Sequence, residues 1–276
     1  MSEQSAGPAH GPGVGPGAGD GFEDVLGDAP EPRPARGRGR ARALAAVGVF
    51  GELLITVGVL LALFAAYSLW WTNVQADRTA DRAADRLRNA WSVPAASGPA
   101  PASPGAAPPG QRTYAAGDGV GFLHVPAMGR DYQVLIRMGT DAETLADGVA
   151  GVYEAPYRSA MPWDEEGNFA LAAHRDGHGA KFHDLDAVKP GDAVVVETKD
   201  SWYVYRIDST LPETSKYDTG VVAPVPTGST YHSPGRYITL TTCTPVYTSR
   251  YRMAVWGSLV RVDPVDAART PPAELR

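Results

Sequence analysis

An apolar run from about Ala43 to Trp71 constrains this chain more than any other feature of its sequence. The run exceeds the roughly 20 residues that a helix needs to span a bilayer. Tyr67, Trp70 and Trp71 lie at its far end, as expected of an aromatic belt at a membrane interface. A cleavable signal peptide would have a shorter apolar region, of about 7–15 residues, behind a short basic leader. The run therefore predicts one uncleaved transmembrane helix over residues 43–71.

The charges in front of this run predict how the chain is oriented. The positive-inside rule places the N-terminus in the cytosol and everything after Trp71 outside. Glu52 lies near the cytosolic end of the span, where it can reach headgroups or arginines, so we interpret it as an interfacial acid rather than a functional site. The basic residues directly before the run are Arg33, Arg36, Arg38, Arg40 and Arg42.

The segments on either side of the span are predicted to contribute little to a hydrophobic core. Residues 1–42 are rich in Gly, Pro and Ala and have almost no large apolar side chains, which predicts a disordered cytosolic tail. Residues 72–113 are expected to form an extracytoplasmic stalk and linker. Asp and Arg three to four residues apart between Asp77 and Trp91 favour an exposed helix, and the Pro/Ala-rich residues 93–110 favour a flexible or partly extended linker.

Residues 114–264 are predicted to form the folded domain, followed by a C-terminal tail at 265–276. Short apolar runs separated by Gly and Pro predict many strands, and only Ala142 to Ala150 has a helical pattern. This pattern favours a mostly β fold, either a barrel or a sandwich. The net charge of −6 argues against nucleic acid as the main partner.

Cys243 is the single cysteine of the sequence, so it cannot form a disulfide within the chain. It is either a small buried hydrophobe or a nucleophile. Acyl transfer by a thiol also requires a proton donor for the leaving amine and a group that stabilises the oxyanion. His174 is a candidate because it ends an apolar run and enters a Gly-rich loop. Arg250 and Arg252 both follow the cysteine closely, and their spacing alone does not choose between them.

Two motifs together resemble the sortase signature. Thr239–Cys243 reads Thr-Leu-Thr-Thr-Cys, and a loop then leads to Arg252 and an apolar strand. Upstream, Asn168–Arg175 is similar to the histidine segment of sortases, although Ala173 stands where they usually have glycine. The basic leader, the apolar span and the stalk are similar to those of class E sortases of actinobacteria.

This resemblance implies a closed sortase-type β-barrel with short helices, preceded by one transmembrane helix. It also implies the roles of four residues. Cys243 would attack the Thr–Gly carbonyl of a sorting signal, and His174 would transfer protons to and from the amines. Arg252 would stabilise the oxyanion, and Thr242 would line the substrate groove. We prefer Arg252 to Arg250 because an apolar strand follows it directly.

The resemblance further implies the partners. These are secreted proteins bearing a Leu-Ala-x-Thr-Gly-like signal, and a lipid-linked peptidoglycan precursor (lipid II) as the amine acceptor. The enzyme would be held in the cell membrane, with its catalytic domain outside. With ordinary pKa values, the thiolate–imidazolium pair of Cys243 and His174 would be a minority form at neutral pH unless the two groups interact.

Two other functions fit parts of the sequence. A different wall-directed thiol enzyme, such as an L,D-transpeptidase, would carry a Ser-His-Gly-Cys-like element, whereas Thr-Thr-Cys-Thr-Pro stands here. A non-enzymatic, surface-anchored β module would carry Cys243 merely as a buried residue. Leu211–Ser215 reads Leu-Pro-Glu-Thr-Ser and superficially resembles a sorting signal, but we interpret it as a loop between strands.

No metal or cofactor is expected. His174, His178 and His183 could suggest zinc, but Gly177 and Gly179 would break a helix that aligned the first two. The acidic cluster Asp164, Glu165 and Glu166 is interpreted as a solvated loop rather than a calcium site.

Overall fold

The computed structural model describes residues 37–92 and 114–276. Contacts divide the chain into two units, with the boundary between Val57 and Gly58. Most of the predicted disordered tail, and the whole of the Pro/Ala-rich linker, lie outside the described residues. The last residues of that tail are described, and they are helical rather than disordered.

A long helix, α1 (Gly37–Ser92), carries the apolar run. It is built largely from Leu, Ala and Arg, which favour helix, and no proline occurs within residues 37–92. Of the described residues, this helix alone contains a stretch long and apolar enough to cross a bilayer, and the side chains of that stretch are exposed. Tyr67 stacks on Trp71 with the ring centroids 5.8 Å apart.

The last turns of α1 pack against the folded domain instead of standing free in solvent. Ala76 and Ala80 are only 2% and 7% exposed, and Trp91 meets Phe122 edge-on with ring centroids 5.4 Å apart. The buried face repeats every three to four residues, whereas most of the charged residues that favour an exposed helix lie outside this face and are exposed. The residues of the packed face are Ala76, Ala80, Ala83, Ala84, Leu87 and Trp91.

Within residues 114–276, eight strands close into a barrel, which confirms the predicted sortase-type fold and excludes the sandwich. Around the barrel their order is β1-β2-β3-β4-β7-β8-β6-β5. The strands are β1 (Gly119–His124), β2 (Gln133–Met138), β3 (Ala150–Val152), β4 (Gly167–Ala172), β5 (Ala193–Glu197), β6 (Ser201–Ser215), β7 (Arg236–Thr244) and β8 (Tyr251–Pro264).

The barrel interior is filled by apolar side chains that alternate along the strands. Phe169 and Leu171 of β4 and Ile238 and Leu240 of β7 are almost fully buried in one cluster. Every second residue of a strand faces the same side, so these residues form the core while their neighbours face outward. β4 and β7 run parallel, so their C-terminal ends meet at one edge of the barrel. Both candidate catalytic motifs end at this edge.

Helices in the barrel region are short. α2 (Ala142–Ala146) begins at Asp141, whose side chain accepts a hydrogen bond from the Thr144 amide at 2.9 Å. It ends earlier than the pattern predicts because Gly148 has a positive φ of 71° and Ala150 already belongs to β3. The remaining helical segments are 3₁₀ turns at Pro126–Met128, Leu185–Ala187, Thr219–Val222 and Ala273–Leu275.

The segment that resembles a sorting signal is not a loop, so that prediction is wrong. Leu211–Ser215 forms the end of β6, and Leu211 and Thr214 pair with Ala254 and Arg252 of β8. Proline interrupts strand patterns in sequence, but the irregular register between Leu211 and Thr214 accommodates it. Because this segment is part of the barrel wall, it cannot serve as an extended substrate without disrupting the fold.

Candidate active site

The parallel pairing of β4 with β7 brings His174 and Cys243 together. The last residues to pair are Ala172 and Thr241. His174 lies two residues after Ala172, and Cys243 lies two residues after Thr241. Contacts between the two segments continue on both sides of them. The Thr242 hydroxyl donates to the Ala173 carbonyl at 2.9 Å, and Arg175 Nη1 donates to Thr244 Oγ1 at 3.4 Å. His174 and Cys243 therefore lie side by side where the two strands end.

The antiparallel pairing of β7 with β8 brings Arg252 to the same place. Cys243 and Arg252 are directly opposite each other, and opposite residues in such a pair project from the same face of the sheet. Both side chains are half-buried. Arg252 Nη1 donates to the carbonyls of Ser249 and Tyr251 at 3.1 and 2.9 Å, which holds its guanidinium at the start of β8.

The rival arginine has a different setting. Arg250 precedes β8 in the exposed turn after β7, and its guanidinium lies 5.1 Å from the ring centre of Tyr251. The structure thus brings Arg252, and not Arg250, opposite the cysteine.

The Thr242 side chain is directed away from Cys243. It is 3% exposed and its hydroxyl is bonded to the β4 segment. Neighbouring residues of a strand face opposite sides of the sheet, so Thr242 joins the two strands behind the site. Its role in substrate binding stays a prediction.

The environment of His174 disfavours its charged form. Burial lowers the pKa of the imidazole, the nearby His178 lowers it further, and Asp176 acts in the opposite direction. The rings of His174 and His178 have centroids 5.2 Å apart. Burial and His178 therefore both favour the neutral imidazole at His174 over the imidazolium.

Asp176 links the histidine loop to the turn after Cys243. One of its carboxylate oxygens accepts a hydrogen bond from the Tyr247 amide at 2.6 Å. The other oxygen is buried, and His183 Nδ1 lies 3.9 Å from it. A carboxylate therefore lies within the loop that follows His174 and contacts the loop that follows Cys243.

Arg175 is a site residue that sequence reasoning missed. It is 5% exposed, and its guanidinium forms an ion pair with Asp186 at 2.6 Å. The same guanidinium contacts Thr244 and, at 3.8 Å, the sulfur of Met253. An arginine stays charged when buried, so its donors require such partners.

The partners of Arg175 explain its place in the site. It directly follows His174, while Thr244 and Met253 directly follow Cys243 and Arg252. One buried side chain therefore joins the three segments that carry the candidate catalytic residues. The only signal in the sequence is an arginine next to the histidine at the end of an apolar run.

Tyr153 also lies at this edge of the barrel, although we leave it outside the predicted catalytic set. Its hydroxyl is 2.9 Å from Thr241 Oγ1, and burial raises the pKa of its phenol. The positive charge of Arg252 acts on this pKa in the opposite direction.

The three histidines considered for zinc do not converge. His183 Nδ1 lies 2.9 Å from the Arg175 carbonyl oxygen. In the described part of the chain, no three His, Cys, Asp or Glu side chains are arranged to hold a metal ion.

Comparison with known proteins identifies the family. The model of the sortase domain matches residues 123–260. Sortase SrtE2 of Streptomyces coelicolor is 54% identical over 232 residues, which cover 84% of this chain and 88% of that protein. This chain belongs to the sortase family. As a sortase, it is a cysteine transpeptidase, which excludes the L,D-transpeptidase and the non-enzymatic module.

Other relatives agree with a class E assignment. Sortase SrtE1 of S. coelicolor is 44% identical over 80% of this chain, and the matched part is 59% of SrtE1. The crystal structure of sortase E1 from S. coelicolor with a tripeptide in the active site has a TM-score of 0.55 at 43% identity. It matches 59% of this chain and its own full length. Sortase E from Streptomyces avermitilis has a TM-score of 0.53 at 35% identity, also over 59% of this chain and all of its own.

Proposed function

We propose that this sortase is a membrane-anchored class E transpeptidase that joins secreted proteins to the cell wall through Cys243, His174 and Arg252. The observation that carries the proposal is the meeting of three strand ends. His174 lies beside Cys243 across the β4–β7 pair, and Arg252 lies opposite Cys243 across the β7–β8 pair. A nucleophile, a proton carrier and a fixed cation at one edge are the groups that acyl transfer requires.

In the first half of the proposed reaction, the Cys243 thiolate attacks the carbonyl carbon of the Thr–Gly amide. A carbon–sulfur bond forms, and Arg252 stabilises the negative charge on the carbonyl oxygen. The carbon–nitrogen bond then breaks, and the His174 imidazolium gives its proton to the leaving glycine amine. The products are a thioester on Cys243 and a peptide that begins with glycine.

In the second half, an acceptor amine attacks the thioester carbon. Neutral His174 takes a proton from this amine, and the carbon–sulfur bond breaks. The Cys243 thiolate leaves, and His174 is again an imidazolium. The enzyme returns to its starting charge state, and the secreted protein is attached to the acceptor through a new amide.

The proposed substrate is a Leu-Ala-x-Thr-Gly-like signal, which rests on the similarity to class E sortases. We expect the full chain in detergent to cleave a fluorescent Leu-Ala-Ala-Thr-Gly peptide between Thr and Gly. Chromatography of the products checks the bond. A matched peptide with the Thr and Gly exchanged is the control and is expected to stay intact. Cleavage of both peptides alike, or of neither, would contradict the proposed signal.

Lipid II is proposed as the acceptor because α1 supports a site close to a membrane surface. Trp71 marks the expected end of the span, and Asn73, two residues later, already contacts the loop that follows His174. Two residues of helix rise only about 3 Å. An active site held there is close to headgroup-level amines, which is where a lipid-linked precursor would present one.

The proposed topology predicts that Cys243 reacts from outside the cell. A membrane-impermeant maleimide should label the wild-type chain in intact cells, and Cys243→Ala should remain unlabelled. Because Cys243 is the only thiol in the sequence, the labelled position is unambiguous. The matched control carries Ser5→Cys in the Cys243→Ala background and should react only after permeabilisation. The reverse pattern would place the barrel in the cytosol.

A further inference from the structure

The loop that follows His174 has an unusual backbone. Four successive residues, Gly177 to Ala180, have positive φ angles of 63°, 47°, 79° and 42°. Glycine adopts such angles readily, but His178 and Ala180 carry a Cβ that disfavours them. Strained conformations of this kind persist where the surrounding structure holds them. Contacts with neighbouring segments are therefore expected to hold this loop.

Helix α1 supplies two of the contacts. The Gly179 amide donates to Asn73 Oδ1 at 2.9 Å, and Lys181 Nζ donates to Asp77 Oδ1 at 2.7 Å. Asn73 and Asp77 are four residues apart, so they lie on the same face of the helix. A Cβ on Gly179 would be 3.0 Å from Asp77 Oδ1, which shows how closely the helix approaches the loop.

Between these two contacts, Ala76 fixes the distance of α1 from the barrel. It is 2% exposed and packs on Gly148, where an added Cβ would lie 3.2 Å from the Cβ of Ala76. Gly148 also has a positive φ of 71°, so a larger residue there would be both strained and crowded. Small residues at both positions, 76 on the helix and 148 on the barrel, are therefore required for the helix to reach the loop.

The loop in turn contacts His174. The Phe182 amide donates to the His174 carbonyl at 2.9 Å, which closes the loop. The His178 ring lies 5.2 Å from the His174 ring, centroid to centroid. A chain of contacts therefore leads from α1 through the strained loop to the imidazole.

We propose that Asn73 and Asp77 of α1 are positioning residues that hold the loop 177–181, and through it His174, in the geometry for acyl transfer. The proposal rests on the proposed function, because it assigns His174 to the proton transfers. According to this proposal, the end of the membrane helix helps to maintain the geometry of the active site. Release of α1 from the barrel lets the loop relax and lowers turnover without removing any group that touches the substrate.

Charge exchange across the Asp77–Lys181 pair tests this in the full chain reconstituted in nanodiscs. Asp77→Lys or Lys181→Asp alone places like charges together, and each should lower kcat about fivefold with little change in KM. Amide exchange at Gly179 should become faster, and the ring resonances of His174 should shift. The double variant, Asp77→Lys with Lys181→Asp, should recover most of each change.

A steric pair gives an independent test. Ala76→Leu overfills the contact with Gly148 and should lower kcat about tenfold. Ala90→Leu is the matched control, because Ala90 lies on the exposed side of the same helix, and its kcat should equal that of the wild type. Both variants should keep the thermal midpoint of the barrel above the assay temperature.

Several outcomes would overturn the proposal. If amide exchange at Gly179 stays slow in all variants, α1 does not hold the loop. If exchange becomes fast but kcat and the His174 resonances do not change, the loop does not position His174. A double variant as impaired as the singles would contradict the specific pair. Failure of the proposed function can be distinguished from failure of this proposal. In that case the wild type would form no thioester, but amide exchange and the His174 resonances would still report whether α1 holds the loop.

Discussion

The Cys243→Ala variant is expected to lose acyl transfer completely, by at least about 10⁴-fold relative to the wild type. The reason is chemical: without the sulfur, no thioester forms, and the remaining groups cannot supply a nucleophile. The fold should persist, because the change removes one atom from a half-buried side chain that makes no disulfide. Cleavage of the sorting peptide measures the activity, and thermal unfolding followed by circular dichroism measures the fold.

Cys243→Ser serves as the matched variant. It keeps a side chain of similar size but replaces the thiol with a hydroxyl, which is a much weaker nucleophile than a thiolate. We expect it to be nearly as inactive as the alanine variant. Full cleavage by Cys243→Ala, with the barrel folded, would contradict the assignment of the nucleophile.

The second large effect is expected at Arg252. Arg252→Ala should lower kcat/KM for peptide cleavage about 10²- to 10³-fold, because it removes the cation that faces the developing oxyanion. Arg250→Ala is the matched control, since the two arginines are two residues apart and only Arg252 is opposite Cys243. Arg250→Ala should keep kcat/KM within about threefold of the wild type, as is usual for an exposed side chain.

Arg252→Lys separates charge from geometry. Lysine keeps the positive charge but loses the planar fork of donors, so a partial recovery is expected. The arginine assignment is wrong if Arg250→Ala is the inactive variant and Arg252→Ala is not. Loss of activity in both variants would instead indicate that the turn before β8 is needed as a unit.

Much of the fold could be predicted from local patterns. The long apolar run predicts a helix, because composition alone determines that a segment of this kind can span a bilayer. The alternation of short apolar runs with Gly and Pro predicts strands, and resemblance rather than spacing favours a closed barrel over a sandwich. The register of β4 on β7 is not visible in either pattern, because it depends on pairing between distant segments.

The packing of α1 illustrates what local patterns miss. The segment from Asp77 to Trp91 shows abundant charge, and the charge favours an exposed helix. Its alanines form an equally regular face, but alanine is a helix former in any setting, so its periodicity carries little information about burial. Only the barrel shows that this face has a partner.

The candidate site was predictable where single residues carry strong chemistry. Cys243 is unique in the sequence, and His174 follows an apolar run, so both can be singled out. Arg175 has no such signal, because an arginine near a surface loop is ordinarily solvated. Its burial depends on Asp186, Thr244 and Met253, which are close only after folding. The backbone of the loop after His174 could not be predicted either, because nothing about His178 or Ala180 in the sequence indicates a positive φ angle.

Mass spectrometry of the full chain mixed with a Leu-Ala-x-Thr-Gly peptide tests the central claim most directly. We predict an adduct whose mass equals the peptide up to and including Thr, attached to Cys243 and released by an added amine. His174→Ala should not accumulate this adduct, because the leaving amine would lack its proton donor. An adduct that retains the glycine, an adduct on another residue, or no adduct at all would contradict the account.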